Sequence, residues 1–263
     1  VDTEGRTKEG VAVQTAISVN DKYFKTHPAF ENNVDYGGWS SKLEGIWVAK
    51  YEASQVSSTT KPKFEAGASS WRSITIGNMF TYAKGYNETL ESHLMKNSEW
   101  GAVAYLTESK YGRNGTEIAI NNNGTTYYTG GGSETAYVNN TNQSSTGNVY
   151  GIYDLSGNAY EYVAGYYSGG SLSKGNSFAN GTSDAYSTAY SGMTASSAYK
   201  YGDATYETSG WNSDLAYFVD SNYPFFRRGG NYYVTSIAGV FDFNAENGNS
   251  NGTYSFRVCL AVK

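Results

Sequence analysis

Residues 225–262 read FFRRGGNYYVTSIAGVFDFNAENGNSNGTYSFRVCLAV and contain two short apolar frames, Gly239 to Phe243 and Phe256 to Val262. In the first, Phe241 and Phe243 alternate with Val240, Asp242 and Asn244. In the second, Phe256, Val258, Leu260 and Val262 alternate with Arg257, Cys259, Ala261 and Lys263. A period of two is that of a strand buried on one face. Each frame is therefore expected to have an inner and an outer side. The polar and aromatic residues around them, Asn231 to Ile237 and Asp242 to Tyr254, have no period of their own. They are expected to line a surface that the strands hold rigid.

The whole chain has 263 residues, enough to bury a sizeable core in one large domain or two small ones. Only 16% of residues are charged, whereas Gly (31) and Tyr (26) are abundant, a bias shared with disordered low-complexity chains. Five Trp and 11 Phe supply the anchors such chains lack, so a globular fold is expected. The net charge of -5, with only Arg227 and Arg228 standing together, argues against nucleic acid as a partner. A single cysteine, Cys259, excludes an internal disulfide and a thiolate metal cluster, and a buried inert thiol is the reading it favours. No apolar run approaches the roughly 20 residues that cross a bilayer, so no membrane insertion is expected. A start at Val1 without methionine suggests a piece of a larger polypeptide.

Residues 1–40 read as a polar lead segment packed on, or linking to, a main domain over 41–263, with a short strand at Val11 to Val19. Gly45 to Glu52 alternates as a strand. Ile76, Phe80 and Ala83 share one face of a helix from Thr75 to Lys84, with Ser73 or Thr75 as its cap. A second helix starts after Asn97 or Ser98, with Trp100, Val103, Ala104 and Thr107 at i, i+3, i+4 and i+7, Glu99 in its first turn and an end near Gly112. Residues 113–147 look too polar for core, and 168–213 read as long loops over a sheet.

Asp154-Leu155-Ser156-Gly157-Asn158-Ala159-Tyr160-Glu161 places two carboxylates around a glycine turn. Such a turn can converge oxygens on a calcium ion, or can hold a capping Asp and a solvated or Arg-paired Glu. The spacing leaves both open. His27 and His93 stand far apart in polar contexts and read as surface residues. The two Ser-x-x-Lys matches, starting at Ser171 and Ser197, lack companion motifs.

GIWVAKYEAS, NSEWGAVAYL, NVYGIYDLSGNAYEYV, FFRRGGNYY and the closing YSFRVCLAV together resemble the ordered blocks of a C-type-lectin-like domain of the formylglycine-generating-enzyme type. The resemblance implies an α+β fold with small antiparallel sheets, two helices and long irregular loops. The Asn-rich C-terminal stretch, within an RGG, AGVF and SFRV frame, also resembles the variable proteins of diversity-generating retroelements of gut phages and bacteria. In those proteins adenine-directed copying errors scatter Asn codons, which would place a variable region at 227–258. Asn231, Tyr232, Tyr233, Val234, Thr235, Ile237, Asp242, Asn244, Asn247, Asn249, Asn251 and Tyr254 are all reachable from such codons, whereas Glu246 is not. The oxidases of the family use two cysteines, so Cys259 alone disfavours that chemistry. No cofactor is required on this reading. A structural calcium ion would carry over with the Asp154 and Glu161 side chains and the Gly157 and Ala159 carbonyls as ligands.

The function expected is a ligand-binding display protein of adhesin or receptor-binding type, not an enzyme. Its partner would be a protein or cell-surface ligand, met from a phage virion or a bacterial surface. Tyr offers large, stiff, amphipathic contact area, and Ser, Gly and Asn offer adaptable hydrogen bonding. An enzyme of the same fold and a structural phage or surface subunit are the alternatives.

Overall fold

The computed structural model describes residues 26–123, 127–131, 140–234 and 236–263. The strand expected at Val11 to Val19 lies outside them. Among the described residues the fold is mixed α+β, with small sheets, three helices and single-turn 3-10 segments joined by long connections.

Strand β1 (Gly45–Val48) opens the first sheet, with β10 (Val258–Val262) in its centre and β4 (His93–Leu94) on the far side, all antiparallel. A two-residue ribbon, β2 (Ser54–Gln55) with β3 (Pro62–Lys63), stands apart. The largest sheet is built on β5 (Tyr160–Tyr167). One edge of β5 pairs antiparallel with β7 (Phe225–Arg228), which pairs with β8 (Phe243–Glu246). Parallel partners β9 (Tyr254–Phe256) and β6 (Thr188–Tyr190) take its two ends. The sheet is thus mixed, where antiparallel pairing alone was expected.

Seven of the eight β5 residues are buried, so its two faces lie in two different cores. Tyr160, Tyr162, Ala164 and Tyr166 join α1 (Ile76–Lys84) through Ile76, Met79, Phe80 and Ala83. Val163 joins α2 (Asn97–Glu108) through Trp100, Val103 and Ala104. Phe225 and Phe226 on β7 divide between the same two cores. Thr75 caps α1 by accepting the Asn78 N–H, and the Glu99 carboxylate accepts the Lys96 N–H at the start of α2. Both helices lie near their expected ranges, but α2 stops at Glu108, where Ser109 turns to extended backbone. A third, short helix, α3 (Ala195–Ala198), was not anticipated.

Several expectations need correction. The Gly45 strand ends at Val48. Gly239 to Asp242 is a turn, and strand structure begins only at Phe243. Phe256 to Cys259 is buried on both faces, because the chain leaves one sheet after β9 and enters another at β10. A period of two vanishes wherever both faces are covered. Residues 113–147 and 168–213 also enter the interior, through Ile118, Asn121, Thr129, Phe178, Tyr190 and Asp203. From Pro28 to Trp39 the lead segment packs on the main body, with Ala29 and Trp39 buried.

Candidate functional site

The turn before β5 is shaped by its backbone: Asp154, Gly157 and Asn158 all have positive φ. At Gly157 a side chain would strike Asn121, so glycine is required there. The turn drops Asp154 and Glu161 into a sealed polar cluster with Glu52 and Arg257. Arg257 grips Glu161 through two hydrogen bonds, from Nη2 to Oε1 at 2.5 Å and from Nε to Oε2 at 3.1 Å. Its remaining donors reach the carbonyls of Ala49 and Tyr153. The Asp154 carboxylate accepts from Asn121 Nδ2 at 3.0 Å and from the Gly130 N–H at 2.8 Å. Glu52 accepts from Asn158 Nδ2 and the Ala159 N–H.

Burial, then the neighbouring carboxylates Glu161 and Asp154, push Glu52 well above the usual carboxylate range. Burial raises Asp154 and lifts Glu161 to about 7 against the pull of Arg257. This donor set does not fit calcium, which takes six to eight oxygens. Both Glu161 oxygens and both Asp154 oxygens already accept hydrogen bonds, and the guanidinium supplies the positive charge. The Arg-paired reading of Glu161 is the one the side chains adopt.

Of the twelve expected surface positions, three are corrected to the interior. Asn231 is buried because the chain turns back there, and the next N–H, that of Tyr232, bonds the Asn158 carbonyl at 3.0 Å. Asp242 closes the turn before β8 and points inward. Tyr254 is buried because β9 lies directly against β5. Val234 is half-buried and packs on the α1 core, and Ile237 is half-buried. Thr235 lies outside the described residues. Tyr233 is 60% exposed, Asn249 and Asn251 are exposed, and Tyr232, Asn244 and Asn247 are half-buried.

These outer residues stand on a layer of stacked rings and guanidinium groups. Arg227 lies 4.0 Å over the Tyr160 ring and 4.7 Å over that of Tyr254, and pairs with Glu246 at 3.5 Å. The Tyr254 hydroxyl donates to Glu246 at 2.5 Å, and the Asn244 side chain hydrogen-bonds Tyr160. Tyr233 meets Tyr232 edge-on at 5.1 Å, and Tyr232 meets Tyr127 at 5.0 Å. Arg72 covers Tyr127 at 3.8 Å and donates to the Gly252 carbonyl. These contacts form two groups, one around Arg227 and one around Tyr127, which meet where Arg72 reaches the Gly252 carbonyl two residues before Tyr254 and together make one ledge; each cation or ring pair is worth about 0.5–1.5 kcal/mol. Burial, then nearby Asp242, pushes Tyr160 up to about 12, and burial, then Tyr232, does the same for Tyr127, so both hydroxyls stay protonated donors.

Beside Arg72 opens a groove of about 420 Å³ lined by Ser54, Gln55, Lys63, Ser70 and Ser73. It adjoins the ledge where the Ser73 N–H donates to the Asn251 carbonyl. The residues missed from the sequence are Arg72 and Tyr127, more than 100 positions from Tyr232, and Arg227 and Tyr160, whose strand positions were legible but whose stacking was not.

Beneath the ledge, on the α2 side, Arg228 is buried with Asp242 and Asp214 nearby. Its Nη2 donates to the Ala204 carbonyl, whereas Nε, Nη1 and both Asp242 oxygens form no well-shaped hydrogen bond among the described residues. Asp214 accepts the Phe241 N–H at 2.9 Å and is raised to about 7 by burial.

The two histidines also correct expectation. His93 has no exposed surface, and His27 is half-buried, its Nδ1 accepting the Ala29 N–H and its pKa lowered to about 4 by burial. No protein-family model matches this chain, and no curated protein aligns with it significantly.

Proposed function

We propose that the protein is a recognition module that binds a protein or cell-surface ligand through the tyrosine ledge and its asparagine-rich margin. The observation that carries this reading is the layering of residues 225–254. Arg227, Tyr160 and Tyr254 form a packed floor, and Tyr232, Tyr233, Asn244, Asn247, Asn249 and Asn251 project from it. A floor fixed by stacking and by the β5–β7–β8 ladder lowers the ordering cost of binding. Tyr and Asn are the residue types that such a surface needs. Among the described residues the adjoining groove is lined by Ser, Gln, Lys, Trp and Arg side chains and by no carboxylate or histidine, which favours binding over acid–base catalysis at this place.

The resemblance to C-type-lectin-like domains of the formylglycine-generating-enzyme type, and to retroelement variable proteins, belongs to the same reading. Under it, the ledge is the diversified surface and the chain is displayed on a phage particle or a bacterial envelope. The flanking DNA tests it: a reverse-transcriptase gene beside a near-copy of the codons for 225–262, differing at adenines, is expected. A protein test runs in parallel, by randomising Tyr232, Tyr233, Asn244 and Asn247 and selecting for binding to an arbitrary soluble protein. Binders that keep the parental melting temperature are expected. Destabilisation as large as that of Phe256→Ala, about 3–5 kcal/mol, would sink the division into frame and surface.

A further inference from the structure

Three side chains of different donor chemistry meet inside the body of the protein, outside the ledge. His93 on β4 and Cys259 on β10 are directly opposite in the antiparallel ladder, and Glu99 reaches them from the first turn of α2. Their ligand atoms all lie within 4.8 Å of one another, and none of the three residues has exposed surface. His93 Nδ1 sits 2.7 Å from the Glu91 carbonyl oxygen, and Nε2 sits 2.9 and 3.0 Å from the two Glu99 oxygens. A carbonyl only accepts, so Nδ1 carries a hydrogen. In a neutral ring the Nε2 lone pair then faces two carboxylate oxygens, an arrangement that repels unless a proton or a metal ion lies between them. Metal-bound histidines commonly show this same pattern, with the far ring N–H held by a backbone carbonyl.

We propose that His93, Glu99 and Cys259 bind a buried divalent ion of the zinc class, which ties β4, β10 and the start of α2 together. One nitrogen, one carboxylate and one sulfur suit zinc, whereas calcium and magnesium take oxygen alone. Glu99 Oε1 is the ligand oxygen, since Oε2 is held by the Lys96 N–H, and a water completes the tetrahedron. Metal-to-donor bonds of about 2.0–2.3 Å require His93 and Glu99 to separate slightly, which a small side-chain rotation provides. The Lys96 ammonium does not occupy the site, because it is turned to the carbonyls of Gly38 and Ala185. Binding releases the Cys259 thiol proton, and any proton shared by His93 and Glu99, to solvent. The site is closed, so the ion enters during folding.

The test is to refold the whole chain with cobalt(II) chloride, and separately with EDTA, and to measure zinc in the protein as purified. Expected are stoichiometric metal in each loaded sample, a thiolate-to-cobalt charge-transfer band, and a melting temperature above that of the EDTA sample. Cys259→Ala, a small buried replacement, should lose the band and weaken cobalt binding at least tenfold; His93→Gln should act likewise if it folds. Folded wild type that takes up no stoichiometric zinc or cobalt would overturn the proposal, leaving an imidazolium–carboxylate pair beside a neutral thiol. So would cobalt bound without the thiolate band, or bound equally by Cys259→Ala.

Discussion

Two buried arginines stand at neighbouring ends of the C-terminal frame, and their surroundings differ. Arg257 donates to Glu161, Ala49 and Tyr153 in a cluster where every carboxylate accepts hydrogen bonds. Arg228 makes one well-formed bond, to Ala204, and faces Asp242 without closing a hydrogen bond to it. A buried charge without full pairing contributes little to stability and can even cost stability, whereas a fully bonded one is expensive to break. The Arg257 cluster therefore fixes the scaffold, and the Arg228 cluster is a polar floor that the tyrosine loop rests on. The loop closes on that floor at Gly230, which has φ of +71° and where a side chain would collide with Ala238.

Breaking this contrast needs variants on both sides. Arg257→Ala should cost about 3–5 kcal/mol in urea denaturation, since it strands Glu161 and two carbonyls in the interior. Arg228→Met combined with Asp242→Asn should cost under about 1 kcal/mol, because both members of a poorly bonded pair leave together. Equal losses from the two would abolish the distinction.

Protonation sharpens it further. Asp203 and Asp214 are each raised to about 7 by burial, so each binds its proton more tightly folded than unfolded. Their contribution to stability is complete below about pH 4 and is lost as pH rises through about 7. Melting temperature should accordingly be higher at about pH 5 than at about pH 8, and Asp214→Asn should narrow that gap. A melting curve independent of pH would contradict it. The smallest effect is expected at the surface, where Tyr233→Ala should change stability by no more than about 0.5 kcal/mol, read by thermal melts.

The two main helices were legible because Ile76, Phe80 and Ala83, and Trp100, Val103, Ala104 and Thr107, each bury one stripe. Strand faces were harder to read. Phe256, Arg257, Val258 and Cys259 are all buried, so burial there does not alternate and Arg257 looks outward until Glu161 is found beside it. Asp242 failed for a related reason: alternation from Phe241 and Phe243 sets it outward only if the segment is a strand, and it is a turn. Asn121 and Thr129, in a polar stretch, are buried because the Asp154 turn and the Ala68 segment satisfy them.

The amino-acid sequence alone determined that this is a globular α+β chain, with its helical faces, its glycine turns and a tyrosine- and asparagine-rich C-terminal segment, because these follow from local periodicity and composition. Only the tertiary structure decided which of those residues face solvent, that Glu161 meets Arg257, that Arg72 and Tyr127 complete the ledge, and that His93, Glu99 and Cys259 converge. Each of those depends on residues far apart in the chain being brought within a few ångströms, and the shared burial that joins them leaves no periodic trace in either partner.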